Sequence, residues 1–294
     1  MTIERVRYRL TLAYDGAAFS GWQKQEPPDP DAPPDETGER PRTPLRTVQH
    51  VVEQAVRATV RDASVNLLGA SRTDAGVHAA GQVGAFTTTV DDAKGIGWPR
   101  ERGCEALVRA LNSRLPEDVL VIDAAEAPEG FDPITHAVRK RYTYRVHSSK
   151  TRPLWDRGYV TWTWHELDLE RMRAAAAHIV GERDFAAFAQ INHGRKTTVR
   201  TVFACDVATE PAEPNADRFV FGVEGSGFLY NMVRIIVGTL VEVGRGKIEP
   251  DDVPAIIAST DRRNAGPTMA PEGLRLEWIR YPGEGEEPVA SAPG

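Results

Sequence analysis

Apolar and polar side chains alternate from Glu4 to Tyr14 (ERVRYRLTLAY), and a period of two predicts a strand with one buried face. From Thr47 to Val60 the apolar residues recur at helical spacing, and Thr47 can serve as N-cap. Val65 to Leu68 reads as a short strand, Glu101 to Leu115 as a helix closed by Pro116, and DVLVIDAAEAP as a buried strand. The pattern weakens between Pro128 and Pro133, where a domain boundary is expected. The β-prone run KRYTYRVHSS follows. Leu169 to Val180 is an alanine-rich helix ending at Gly181, and TVFACDVATE and DRFVFGVEG read as two paired strands. Leu229 to Val243 is a very apolar helix with Gly244 as its C-cap, Asp251 to Ser259 a short helix, and LRLEWIRY a closing strand. Strands and helices mix without strict alternation, which favours an α+β fold with mainly antiparallel sheets and helices on one side. Domains are expected over residues 1–128 and 129–283, the first with a disordered insert at 26–44 and the second followed by a disordered acidic tail at 284–294.

Composition adds a charge problem. The 294-residue chain carries a formal net charge of −6, which taken alone argues against a phosphate-bearing partner. The charge is unevenly spread. The proline-rich insert holds a net −4 and the tail a net −3, so the remaining body is close to +1. The insert has almost no large apolar groups and cannot bury enough surface to offset the entropy of ordering. Basic residues cluster at Arg139-Lys140-Arg141 and at Arg195-Lys196 with Arg200. Such clusters suit either a solvated surface or an RNA-facing one. The two cysteines, Cys104 and Cys205, form no CxxC pair, which points away from a disulfide framework or a zinc site and toward a reducing, cytoplasmic setting. The N-terminus has no signal-like apolar core, and the run from Met232 to Val243, broken by Arg234 and Glu242, is too short to cross a bilayer.

The segment Gly69-Ala70-Ser71-Arg72-Thr73-Asp74-Ala75-Gly76-Val77-His78 carries the candidate chemistry. Small residues surround one arginine and one aspartate, leaving room for another molecule to approach. As a pattern it also fits an ordinary Asp-Ala-Gly turn. Asp74 and His78 could begin a metal site, but His50, His136 and His193 are scattered and supply no third ligand at convincing spacing. No phosphate-loop or dinucleotide-binding glycine motif is present.

The run RTDAGVHA followed by GQV closely resembles the signature of the bacterial-type tRNA pseudouridine synthase A family. Phe19-Ser20-Gly21-Trp22-Gln23 and Thr47-Val48-Gln49 resemble the family's opening motifs. Lys140-Arg141-Tyr142-Thr143-Tyr144 resembles the second, Gly227 to Arg234 (GFLYNMVR) the third, and Ala265 to Pro271 with Gly273-Leu274 the closing segment. The resemblance covers residues 7 to 282 apart from the insert, where the family has a short loop. It implies the pseudouridine synthase fold, two similar α+β subdomains with a basic cleft between them, and a homodimer acting on tRNA without metal or organic cofactor. The implied reaction detaches uracil from ribose and reattaches it through C5 at the anticodon stem-loop uridines conventionally numbered 38 to 40. Asp74 is then the nucleophile, attacking the uracil ring or the anomeric carbon. Arg234 is its ion-pair partner, Arg72 holds the flipped nucleotide, and Tyr142 lies against the target base. An RNA-binding chaperone that keeps the fold without the chemistry is the alternative, and a metal-dependent hydrolase built on Asp74 and His78 a second rival.

Overall fold

The protein is described by a computed structural model over residues 4–91, 93–190, 197–212 and 215–284. The expected acidic tail beyond residue 284 and the basic pair Arg195-Lys196 lie outside the described residues. The chain divides into two compact units, residues 1–134 and 135–294. The described strands and helices make the fold α+β, and within each unit the described strand pairs are antiparallel apart from one short parallel pair.

In the first unit, β1 (Glu4–Tyr14) lies between β3 (His78–Val90) and β4 (Val119–Ala127), antiparallel to both. β2 (Leu68–Gly69) adds two residues to the other edge of β3 at Ala85 and Gly84. β1 alternates as its sequence predicts, with Val6, Tyr8, Leu10, Leu12 and Tyr14 buried. β3 is buried on nearly every residue, so it shows little alternation. α1 (Val48–Val60) begins where the Thr47 hydroxyl accepts a hydrogen bond from His50 N and ends at Arg61, which takes a left-handed conformation. α2 (Gly103–Asn112) packs on β4, and Asn112 fastens the two. Its amide nitrogen donates to Val121 O at 2.9 Å, and its amide oxygen accepts from Val121 N at 2.8 Å. The core joins Tyr8 stacked on Phe86 to Leu10, Leu12, Val52, Val56, Leu67, Leu107 and Leu111.

The acidic insert runs out and back as an exposed arm. Leu45 N donates to Gln25 O, Thr43 N to Pro27 O and Asp29 N to Pro41 O, so its base forms a narrow ladder. At its tip the Asp35 carboxylate accepts from the Thr37 hydroxyl and from Thr37 N and Glu39 N, and these donors hold its pKa below the ordinary carboxylate value.

In the second unit β5 (Arg139–Ser148) lies between β10 (Leu274–Arg280) and β9 (Asp217–Gly225); β8 (Val199–Glu210) and β7 (Gly181–Asp184) extend the sheet beyond β9. β6 (Thr161–Thr163) pairs in parallel with the end of β5. α3 (Leu169–Ile179), capped by the Asp168 carboxylate on Arg171 N, packs against β8 and against α4 (Met232–Gly244). α5 (Val253–Ser259) completes the unit. α4 starts three residues later than its apolar pattern suggests, because Asn231 sits at φ 61°, outside the helical region. Among the described residues, no helix is long and apolar enough to cross a membrane.

A buried acid joins α1 to the strand that leads into the Asp74 segment. Glu53, only 1% exposed, accepts from Leu67 N at 2.9 Å and pairs with Lys24 at 2.7 Å and Arg57 at 2.9 Å. Removing it leaves a buried N–H and two cations without their acceptor. Glu53→Ala should therefore lower the stability of the protein by about 3 kcal/mol, read from the midpoint of urea unfolding at unchanged slope.

Candidate active site

The Asp74 segment is a loop between β2 and β3, and its backbone is fastened at almost every residue. Ala70 N still donates to Val83 O at 2.8 Å, as in the ladder. Ser71 is held by the Gln82 side chain at both its N–H (3.2 Å) and its C=O (2.6 Å). Thr73, itself buried, shares a hydrogen bond of 2.8 Å with the Tyr14 hydroxyl, and its carbonyl accepts from Trp22 N at 3.0 Å. Gly76 N donates to Phe19 O, and Val77 N to Asp74 O at 3.2 Å, closing a turn around the aspartate. Gly21 allows the close approach of the opening motif. It sits at φ +88°, and a Cβ there would lie 2.8 Å from Thr73 O.

Asp74 is half-buried at the head of this turn, while Arg72 is exposed. His78 is buried, and its Nδ1 accepts from Gly16 N at 3.0 Å with Asp15 Oδ1 3.1 Å away. His78 thus anchors the far end of the loop to the turn after β1. Among the described residues, no group of three or more His, Cys, Asp or Glu side chains is placed to hold a metal ion.

Tyr142 and Arg234 belong to the second unit. Tyr142 lies mid-strand in β5, opposite Leu276 and Val223, only 6% exposed, with its ring edge-on to Phe228 at 5.4 Å. Tyr144, two residues on and on the same face, is fully buried and donates its hydroxyl proton to Ala270 O at 2.7 Å. Burial raises its pKa. Arg234 projects from the first turn of α4. Its Nε donates to Met269 O at 2.6 Å and one terminal nitrogen to Asn231 Oδ1 at 2.7 Å, which fixes the plane of the guanidinium.

The closing segment is packed directly on α4. Met269 N donates to Arg234 O, Gly266 N donates to the Thr239 hydroxyl at 2.8 Å, and Arg262 donates to the Thr268 hydroxyl at 3.1 Å. Gly238 makes this possible, since a Cβ there would stand 1.9 Å from Pro267 O.

The sequence motifs therefore gather into two constellations. In the first unit the opening motifs touch the Asp74 signature through Trp22 and Phe19, and Gln49 N donates to Trp22 O. In the second, Tyr142 meets Phe228, and Arg234 meets Met269, so the second and third motifs and the closing segment share one neighbourhood. Tyr14, Gln82, Phe228 and Met269 are supports that reading the sequence for chemistry overlooks. Gln82 and Phe228 stand inside the motifs, which was the available signal.

Residues 175–282 match the model of a family described as tRNA pseudouridine synthase. Similar proteins named tRNA pseudouridine synthase A extend the match to nearly the whole chain. The protein of Geotalea uraniireducens is 41% identical, covering 93% of this chain and 98% of its own. That of Myxococcus xanthus is 40% identical over 98% and 96%, and that of Acetivibrio thermocellus 39% identical over 93% and 98%.

Gly238→Ala tests the packing of the closing segment, because its methyl group must displace Pro267 or the helix. It should destabilise the protein by about 1–3 kcal/mol, measured by chemical denaturation. Identity at this level across nine-tenths of the chain, with each motif placed against its neighbours, means that the chain belongs to the tRNA pseudouridine synthase A family.

Proposed function

We propose that this protein isomerises uridine to pseudouridine in transfer RNA, with Asp74 as the nucleophile. The observation that carries the reading is the loop itself: a half-buried carboxylate at the head of a turn whose flanking peptides are individually fastened. Turns of that composition are common, but a turn that serves only to reverse the chain does not need so many side-chain clamps. Positioning of this kind is what a nucleophile requires, because a reacting atom displaced by about 1 Å can cost a hundredfold in rate.

The reaction breaks the bond from uracil N1 to ribose C1′ and makes one from C5 to the same carbon. N1 ends with a proton and C5 loses one, so the change is an isomerisation with no oxidant or second substrate. A carboxylate suits it as a modest nucleophile that also leaves readily, whether it attacks the ring or the anomeric carbon. Arg234 is assigned as ion-pair partner of Asp74, supported by the motif match and by a guanidinium held in a fixed plane on an otherwise apolar helix. Tyr142 is assigned to the face of the target base, where an aromatic ring accepts any nucleotide sequence. Arg72, exposed beside Asp74, is assigned to holding the flipped nucleotide, since chemistry on a stacked base requires its extrusion.

The finer reading follows the family resemblance. The substrate uridines are those at positions 38 to 40 of the anticodon stem-loop, the working form is a homodimer, and the setting is the cytoplasm, where the thiols of Cys104 and Cys205 stay unpaired. No cofactor takes part. Shape and phosphate contacts select the site on RNA of this kind.

Asp74→Asn keeps the shape of the loop and removes the nucleophile. Pseudouridine formation should fall by at least about 1,000-fold, with tRNA affinity within about threefold of wild type, measured by product mapping and filter binding. Retained activity would overturn the assignment, and an unmodified enzyme that binds tRNA without forming product would point to the chaperone. Deleting the protein should remove pseudouridine from the anticodon stem-loops of cellular tRNA; unchanged modification at 38 to 40 sinks the substrate assignment.

A further inference from the structure

The main-chain ladder between β2 and β3 ends one residue before the candidate nucleophile loop begins. Leu68 pairs with Ala85 and Gly69 with Gly84, and Ala70 N donates to Val83 O. Ser71 follows, opposite Gln82, and its peptide groups meet the Gln82 side chain. The carboxamide nitrogen donates to Ser71 O at 2.6 Å, and the carboxamide oxygen accepts from Ser71 N at 3.2 Å and from Val83 N at 3.1 Å. A primary amide carries both a donor and an acceptor, so one side chain can hold the N–H and the C=O of the same residue.

We propose that Gln82 is a positioning residue for the Asp74 nucleophile: its fully buried carboxamide grips both the N–H and the C=O of Ser71 and sets where the chain leaves the sheet. Its burial supports the assignment. Gln82 has no exposed surface, and a buried amide is retained only where its groups are paired. Three features make the contact consequential. Ser71 adjoins Arg72 and lies three residues before Asp74, so a shift there is carried into both. The contact has two points, so it fixes the orientation of the Ser71 peptide as well as its position. The next restraint along the chain, at Thr73, comes from Tyr14 and Trp22. The side chain does not touch the reacting atoms in this account; it acts through the backbone.

The inference rests on Asp74 being the nucleophile, and the test separates the two. Gln82→Met keeps length and apolar bulk but removes donor and acceptor. At saturating tRNA, its single-turnover rate per folded molecule should fall about 10- to 100-fold, while the Kd for tRNA stays within about threefold. Asn112→Leu is the control. Asn112 makes a matching two-point amide clamp, to Val121 N and O at 2.8 and 2.9 Å, but it joins α2 to β4. It should lower Tm comparably and leave the rate per folded molecule within about threefold. A purely structural role for Gln82 would make the two variants alike, both losing stability and neither losing rate. That result overturns the proposal, as does a rate loss in Gln82→Met explained by weaker tRNA binding. Should Gln82→Met fail to fold, Gln82→Glu carries the test by the same readout. It keeps the volume and the acceptor for Ser71 N but loses the donor to Ser71 O, and a wild-type rate in it would equally defeat the idea. If Asp74→Asn is itself active, the underlying assignment has failed; if Asp74→Asn is inactive and Gln82→Met is normal, only the role of Gln82 has.

Discussion

A peptide group that leaves a sheet without reaching water must find another partner, and the loop from Ala70 to Val77 is organised around that requirement. Its partners are drawn from four places: Val83 in the neighbouring strand, the Gln82 side chain, the Tyr14 hydroxyl, and the backbone of Phe19 and Trp22. Each is itself held by the core of the first unit. Tyr14 ends β1, Trp22 is buried beside it, and Gln82 lies inside β3. The rigidity of the loop is therefore borrowed from the sheet. The opening motif matters here although it carries no reactive group, since it supplies the backbone donor to Thr73 O and the acceptor for Gly76 N.

The second unit solves a related problem for a cation. An arginine in the sequence LYNMVRIIVGTL is surrounded by residues that exclude water, and a guanidinium has five donors to satisfy. Met269 O and Asn231 Oδ1 take two of them. Both acceptors are neutral, so these two contacts orient the group without adding a counter-charge. Asn231 has a double role. Its left-handed backbone delays the start of α4, and its side chain then reaches the arginine one turn later. Gly238 brings the closing segment near enough for Met269 to take part.

Much of the fold was legible in the sequence because it is local. The alternation from Glu4 to Tyr14, the cap at Thr47 and the apolar faces of α1, α3 and α4 are each set by neighbours a few residues apart. β3 was not legible from periodicity. Its run of alanine, glycine and threonine carries little amphipathic contrast, and burial on both faces removes the rest. The start of α4 was misjudged because Leu229 and Tyr230 extend the apolar pattern while the conformation of Asn231 stops the helix. At the candidate site, the identities of Asp74, Arg72, Tyr142 and Arg234 could be taken from the motifs. Their supports could not. Tyr14 and Thr73 are 59 residues apart and Arg234 and Met269 are 35 apart, and nothing in either local pattern announces the other. The choice of Tyr142 over Tyr144 shows the same limit. Alternation puts both on one face, and only the hydrogen bond of Tyr144 to Ala270 O shows that its hydroxyl is occupied with holding the closing segment.

The supports of both constellations share a chemical property that bears on why they are amides, hydroxyls and backbone groups. A charged clamp could hold the Asp74 loop as firmly, and charge-assisted bonds are the stronger ones. Inside a protein, however, a full charge a few ångströms from a carboxylate alters its pKa and nucleophilicity by several-fold or more, because the medium screens poorly. Gln82, Tyr14, Thr73 and the peptide groups of Phe19 and Trp22 fix geometry with dipoles whose field falls off faster. The charged clamp of Glu53 with Lys24 and Arg57 serves a different place, joining α1 to the strand before the loop. Neutral groups fix where the carboxylate stands without adding a full charge of their own to its surroundings.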